Sequence, residues 1–171
     1  SGYHRDLHSF PTRRSSDLVP RALLEAGYPD EAYLLMTQPE YPGYQHWDSC
    51  LDYDTFPETW SGMDASLNHA AFVDILACIF RYFAGFRHSP AFPGKKHLDI
   101  APQIPHGLNE LSAKYLGYHV TWQNQNDKIT FSVHVPDGAT ARLVLPGGDQ
   151  KDLVAGDTVV TFTLPAVAPA D

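Results

Sequence analysis

Helices first and short strands afterwards mark this 171-residue chain as α+β. Three observations carry that reading. Apolar residues recur at helical spacing from Phe72 to Phe83. At Pro90 the period changes. Beyond it Ile129, Phe131, Val133 and Val135 alternate with polar neighbours, which points one face in and one face out.

Val19 to Gly27 reads as the last turns of a helix, with Gly27 as its C-terminal stop. Pro29, Asp30 and Glu31 then open a second helix with acids in its first turn. Ala32, Leu35 and Met36 form its apolar stripe, and it ends before Pro39. Tyr41 to Trp60 is a loop rich in aromatics, Pro, Gly and Asp. Its length and aromatic content suit a functional loop better than a disordered one. Ser66 to Ala84 is the clearest helix, with Ser66 as N-cap and Gly85 after the last apolar residue. Apolar residues surround most of it, which predicts burial.

The strands are expected at Lys96–Ile100, Glu110–Tyr115, Gly117–Trp122, Lys128–Val135, Thr140–Leu145 and Thr158–Leu164. Turn sequences separate them: Asn126-Asp127, Pro136-Asp137-Gly138, Pro146-Gly147-Gly148 and Ala155-Gly156-Asp157. They suggest a small antiparallel β-sandwich. The division expected is a helical part over 19–93, a β-sandwich over 94–165 and a tail over 166–171.

Residues 1–18 stand apart. His4 to Leu18, HRDLHSFPTRRSSDL, back-translates to one frame of a common short-read sequencing adapter. The segment has no apolar core or cleavage site of a signal peptide. It is expected to be an adapter-derived, disordered addition, with the genuine sequence starting near Val19. No compartment is therefore assigned.

The composition is that of a globular protein, 43% hydrophobic and 19% charged, with a net charge of −8. That acidity gives no footprint for nucleic acid and none for an anionic membrane. The longest apolar stretch, Ala70 to Phe86, is interrupted by Asp74 and Arg81. Cys50 and Cys78 are too few for a disulfide scaffold and read as buried free thiols. None of the nine histidines sits in an HExxH or HxH arrangement, so neither a metal nor a cofactor is expected.

Thr55 to Phe86 carries the chemistry. A loop with Glu58 beside Trp60 leads into a buried helix that opens with Asn68-His69. Carbohydrate sites need this mixture: aromatic faces for sugar rings, carboxylates and imidazoles to hold hydroxyls and move protons. A lone loop Glu is otherwise most often solvated, and a His at the start of an apolar helix is most often a core or capping residue. Trp60 fits core packing or substrate contact equally. Asn68 suits a helix-start hydrogen bond and Asp64 a turn. Tyr44, His46 and Trp47 fit either a pocket lining or a cover. His88, His97, His106, His119 and His134 receive no role.

The order of several short blocks resembles the bacterial α-L-rhamnosidases, glycoside hydrolase family 78. They are Thr37-Gln38, Tyr41-Pro42, Thr55-Phe56-Pro57-Glu58-Thr59-Trp60, Ser66-Leu67-Asn68-His69 and Arg81-Tyr82-Phe83-Ala84-Gly85. His97 to Pro102, Gly117 to Trp122 and Val135-Pro136 follow. The resemblance covers roughly 19–165. It implies the terminal helices of an (α/α)6 barrel, then a β-sandwich. It further implies an inverting hydrolysis of terminal α-L-rhamnosyl residues, with Glu58 as general base and His69 and Trp60 binding the sugar. The substrate would be a rhamnose-containing glycoside or polysaccharide.

Pro57 departs from the pattern, since many members carry Trp there. The family's general acid lies in an upstream acidic loop that nothing in Val19 to Asp54 matches. Asp48, Asp52 and Asp54 are local loop carboxylates. The chain is therefore expected to be inactive alone. Two alternatives stay open: another (α/α)6 glycosidase of different sugar preference, or a non-catalytic carbohydrate-binding or structural β-sandwich.

Overall fold

The computed structural model describes residues 12–40, 43–46, 55–57, 66–67 and 73–164. The chain divides into two compact units, Ser1–Leu76 and Ala77–Asp171. Helices dominate the first and strands the second, so the α+β expectation holds. Among the described residues no helix is long and apolar enough to cross a membrane.

In the first unit α1 spans Thr12–Ala26 and α2 spans Pro29–Thr37. Gly27 ends α1 as expected. Its φ of +85° is the left-handed conformation glycine tolerates. The Gly27 amide donates to Leu24 O and the Tyr28 amide to Leu23 O, which together close the last turn. Pro29 opens α2 where its missing N–H costs nothing, with Asp30 and Glu31 beside it. Leu24 and Ala32 are fully buried and Met36 nearly so. The Arg21 guanidinium pairs with the Asp74 carboxylate at the start of the third helix.

α1 starts upstream of Val19. Residues 12–18, expected outside any ordered element, carry helical backbone. No Pro or Gly interrupts Thr12 to Val19, so the helix continues upstream of Pro20. Pro20 lies inside it and leaves the carbonyl four residues back without its usual donor.

The third helix, α3, spans Asp74–Cys78 and widens into a π turn at Ile79–Phe83. The Ala84 amide reaches back five residues to Ile79 O at 2.9 Å. Ile75, Cys78, Tyr82 and Phe83 are buried. Cys78 is a free thiol, as expected; Cys50 lies outside the described residues. Leu76 and Phe80 remain 45% and 40% exposed, against the expectation of all-round burial.

The second unit begins within this helix, upstream of the boundary expected at 93/94. Its strands are β1 (Phe86–Arg87), β2 (His97–Ile100), β3 (Glu110–Tyr115), β4 (Tyr118–Gln125), β5 (Lys128–Val144) and β6 (Gln150–Thr163). β5 organises them. Its first half pairs with β4 on one edge and with Gly156–Thr163 of β6 on the other. Its second half pairs with β2 and with Gln150–Val154 of β6. Two four-stranded halves, β3-β4-β5-β6 and β1-β2-β5-β6, therefore share one long hairpin. They also share one core, including Leu98, Ile100, Val120, Trp122, Phe131, Leu143 and Leu153.

Three strand expectations change. Pro136-Asp137-Gly138 is no inter-strand turn but an irregularity inside β5, where the register shifts between Val135 and Thr140. Pro136 has no N–H for the ladder, and Gly138 takes φ +72°. Ala155-Gly156-Asp157 likewise lies within β6 rather than between strands. Both are locally turn-like, with Gly138 at φ +72° and Gly156 at φ +115°, and the regular pairing resumes on either side of them. The sheet is not wholly antiparallel either, because β2 runs parallel to β5. A parallel pair cannot be joined by a hairpin, and β3 and β4 fill the intervening chain.

Candidate functional site

Glu58, Trp60 and His69 lie outside the described residues, as do Trp47, Asp48, Asp52, Asp54, Asp64 and Asn68. Thr55 to Pro57, Ser66 and Leu67 are described. The Thr55 hydroxyl donates to the carbonyl of Leu67, twelve positions on. That bond ties together the two ends of the segment that carries Glu58 and Trp60. Pro57 is buried and Phe56 half-buried. Tyr44 is 7% exposed, so it packs as core.

The Arg81-to-Gly85 block serves the anchoring of α3. The last carbonyls of a helix lack partners within it. Here the Gln103 amide donates to Tyr82 O at 2.8 Å, and the Trp122 indole donates to Phe83 O at 3.1 Å. Arg81 and Arg87 both stand over the Tyr82 ring, 5.5 and 5.6 Å from its centroid. Gly85 takes φ +85° against the backbone of Ala101 and Pro102.

The histidines without an assigned role tie elements together. His88 Nε2 lies 3.1 Å from the Tyr115 hydroxyl and His119 Nε2 lies 3.0 Å from the Ser112 hydroxyl. His134 Nδ1 meets Asp157 at 2.7 Å, and His97 Nδ1 meets the Thr140 hydroxyl at 2.8 Å. Charge alternates across the second half-sheet. Arg87 stands opposite Asp99, Asp99 opposite Arg142, and Arg142 opposite Asp152. Opposite-sign neighbours on adjacent strands each add a few tenths of a kcal/mol, to about 1 kcal/mol. Burial pushes the Tyr118 hydroxyl above its usual 10.0. Among the described residues no group of three His, Cys, Asp or Glu is placed to hold a metal ion.

Residues 85–159 match the model of the bacterial alpha-L-rhamnosidase C-terminal domain. The matched stretch begins at Gly85, where α3 ends, and runs into β6. It thus includes β1, which pairs Phe86 with Ile100 and lay outside the expected sandwich.

Solved structures share the fold. An α-L-rhamnosidase from Aspergillus terreus aligns with a TM-score of 0.74 at 24% identity, over 90% of this chain and 19% of that one. One from Dictyoglumus thermophilum aligns at 0.72 and 17% identity, over 88% and 21%. The Streptomyces avermitilis enzyme, solved with L-rhamnose, aligns at 0.73 and 18% identity, over 86% and 17%. The chain therefore spans about a fifth of the length of the first two and 17% of the third. Among curated proteins none matches the sequence.

Proposed function

We propose that this chain is the C-terminal part of an inverting α-L-rhamnosidase, with Glu58 as the base that activates water. One observation carries the reading: a rhamnosidase C-terminal domain directly follows a segment bearing Glu58 and Trp60, closed at its base by the Thr55–Leu67 hydrogen bond. In such hydrolysis one carboxylic acid protonates the leaving oxygen. A second carboxylate, roughly 6.5–9.5 Å away, activates a water on the opposite face of the sugar. Glu58 takes the second role. His69 holds a sugar hydroxyl and Trp60 walls the pocket. Residues 19–93 supply terminal helices of an (α/α)6 barrel.

The general acid lies outside this chain, so the polypeptide alone is inactive. The test uses the complete enzyme and an aryl α-L-rhamnoside. Glu58→Gln should lower kcat by roughly a thousandfold or more while leaving the fold intact. Unchanged turnover would remove Glu58 from the mechanism and favour a non-catalytic role. Hydrolysis by the isolated chain would overturn the missing acid.

Pro57 supports a second reading, another (α/α)6 glycosidase with a different sugar. It is buried beside Glu58 in the sequence, where many members carry Trp. A panel of nitrophenyl glycosides on the complete enzyme separates the two.

A further inference from the structure

The β unit contains a groove of about 430 Å³, lined by Phe92, Pro93, Lys96, His97, Gly138 and Thr140 among others. Hydrogen bonds tie its floor together. His97 Nδ1 lies 2.8 Å from the Thr140 hydroxyl, and the Thr140 amide donates to Lys96 O at 2.9 Å. The other imidazole nitrogen, Nε2, faces Asp99 at 3.4 Å. The His97 ring packs against Phe92 with centroids 4.5 Å apart.

The rim is open. Phe92 is 49% exposed, a large aromatic left half in water beside a fixed polar floor. Gly138 also lines the groove, and there is open space beside its Cα. Lys96 supplies an exposed ammonium, Lys95 precedes it, and no carboxylate lines the groove. In a chain of net charge −8 this is a local positive spot.

We propose that this groove is a second carbohydrate site and that it takes a sugar unit carrying a carboxylate, a uronic acid residue of a polysaccharide. Each feature has its counterpart in such a ligand. The Phe92 ring accepts the C–H-bearing face of a pyranose. The Lys96 ammonium pairs with the carboxylate. The Thr140 hydroxyl accepts from a sugar hydroxyl, since His97 occupies only part of its bonding capacity. The volume falls in the usual range of about 300–1,000 Å³ for ligand clefts and suits one or two sugar rings. A floor already fixed by hydrogen bonds needs little ordering on binding. The site holds polymer rather than cleaving it, and it stands independently of Glu58.

The test titrates the full chain with trigalacturonic acid, with the neutral trisaccharide cellotriose, and with citrate at matched ionic strength. Calorimetry or amide chemical shifts report binding. Trigalacturonic acid should bind at least ~10-fold more tightly than cellotriose, a difference of about 1.4 kcal/mol, and more weakly as salt rises. Lys96→Ala should reduce trigalacturonic acid to the level of cellotriose. Phe92→Ala should abolish both, with an unchanged thermal melt, because Phe92 is half exposed. Glu58→Gln should leave binding intact, which separates this site from the hydrolytic reading. Equal binding of the acidic and neutral trisaccharides, equal binding of citrate, or affinity unaltered by Lys96→Ala and Phe92→Ala would each overturn the proposal. So would absence of binding at ~10 mM trigalacturonic acid, which corresponds to less than about 3 kcal/mol.

Discussion

The indole Nε1 of Trp122 donates to the carbonyl oxygen of Phe83 at 3.1 Å, in the interior of the β unit. Trp122 is 1% exposed and Phe83 is 2% exposed. A strand residue thus satisfies a helix-terminal carbonyl 39 positions earlier in the chain. Residues that precede the sheet are thereby built into its core.

Trp122→Phe keeps most of the apolar volume but removes the donor. The hydrogen bond to the Phe83 carbonyl is then lost, at a cost of about 0.5–1.5 kcal/mol. Trp122→Ala adds a cavity and costs about 3–5 kcal/mol. Urea denaturation of the chain should rank wild type above Trp122→Phe and that above Trp122→Ala. A Trp122→Phe variant as stable as wild type would show that the hydrogen bond contributes nothing net.

Gly85→Ala should be more damaging than its single methyl suggests. A Cβ at Gly85 would lie 2.5 Å from Pro102 N and 2.6 Å from Ala101 C. The φ of +85° adds backbone strain for any residue with a Cβ. The Ala101 amide also donates to Gly85 O at 2.9 Å, so the clash sits on the link between helix end and sheet. The loss expected is about 2 kcal/mol or more. Gly147→Ala is the control: its φ is +103° but nothing lies within 4 Å, so it carries strain without a clash. Thermal melts should place Gly85→Ala well below Gly147→Ala.

Tyr118 gives the β unit an alkaline limit. Its side chain is fully buried, its hydroxyl donates to Thr140 O at 2.9 Å, and burial raises it above its usual 10.0. The folded state keeps this proton where the unfolded state has lost it. Its contribution to stability is therefore complete below pH 10 and is lost as pH rises through the raised folded value. Tyr118→Phe should cost about 1 kcal/mol at neutral pH through the lost hydrogen bond. It should also flatten the fall in stability above pH 10, as read from denaturant midpoints across pH.

Much of the local structure was legible from residue order. Gly27 and Pro29 mark a helix end and a helix start by their own backbone chemistry, and both stand where the chain places them. β3 runs Glu110–Tyr115, the range expected from the sequence. Less legible was whatever depends on a partner. The first half of β6, with Lys151, Asp152 and Gly156, has weak strand character and is extended because β5 lies beside it. The π turn at Ile79–Phe83 follows a helical pattern in sequence and differs only in which carbonyl each amide reaches.

The sequence by itself determined the class of fold, the succession of helices and strands, and the motif series that led to the rhamnosidases. Those features are written in local chemistry: glycine at positive φ, proline at a helix start, apolar residues every second or every third and fourth place. Only the tertiary structure decided that β2 runs parallel to β5, that one long hairpin serves both half-sheets, and that the β unit begins inside the helix ending at Phe83. It also brought Phe92, Lys96 and Thr140 to one groove, from positions a pattern search reads as unrelated. The physical reason is common to all four. Each depends on which distant backbone or side chain satisfies a given hydrogen bond or covers a given apolar surface, and that choice is made by the folded chain as a whole.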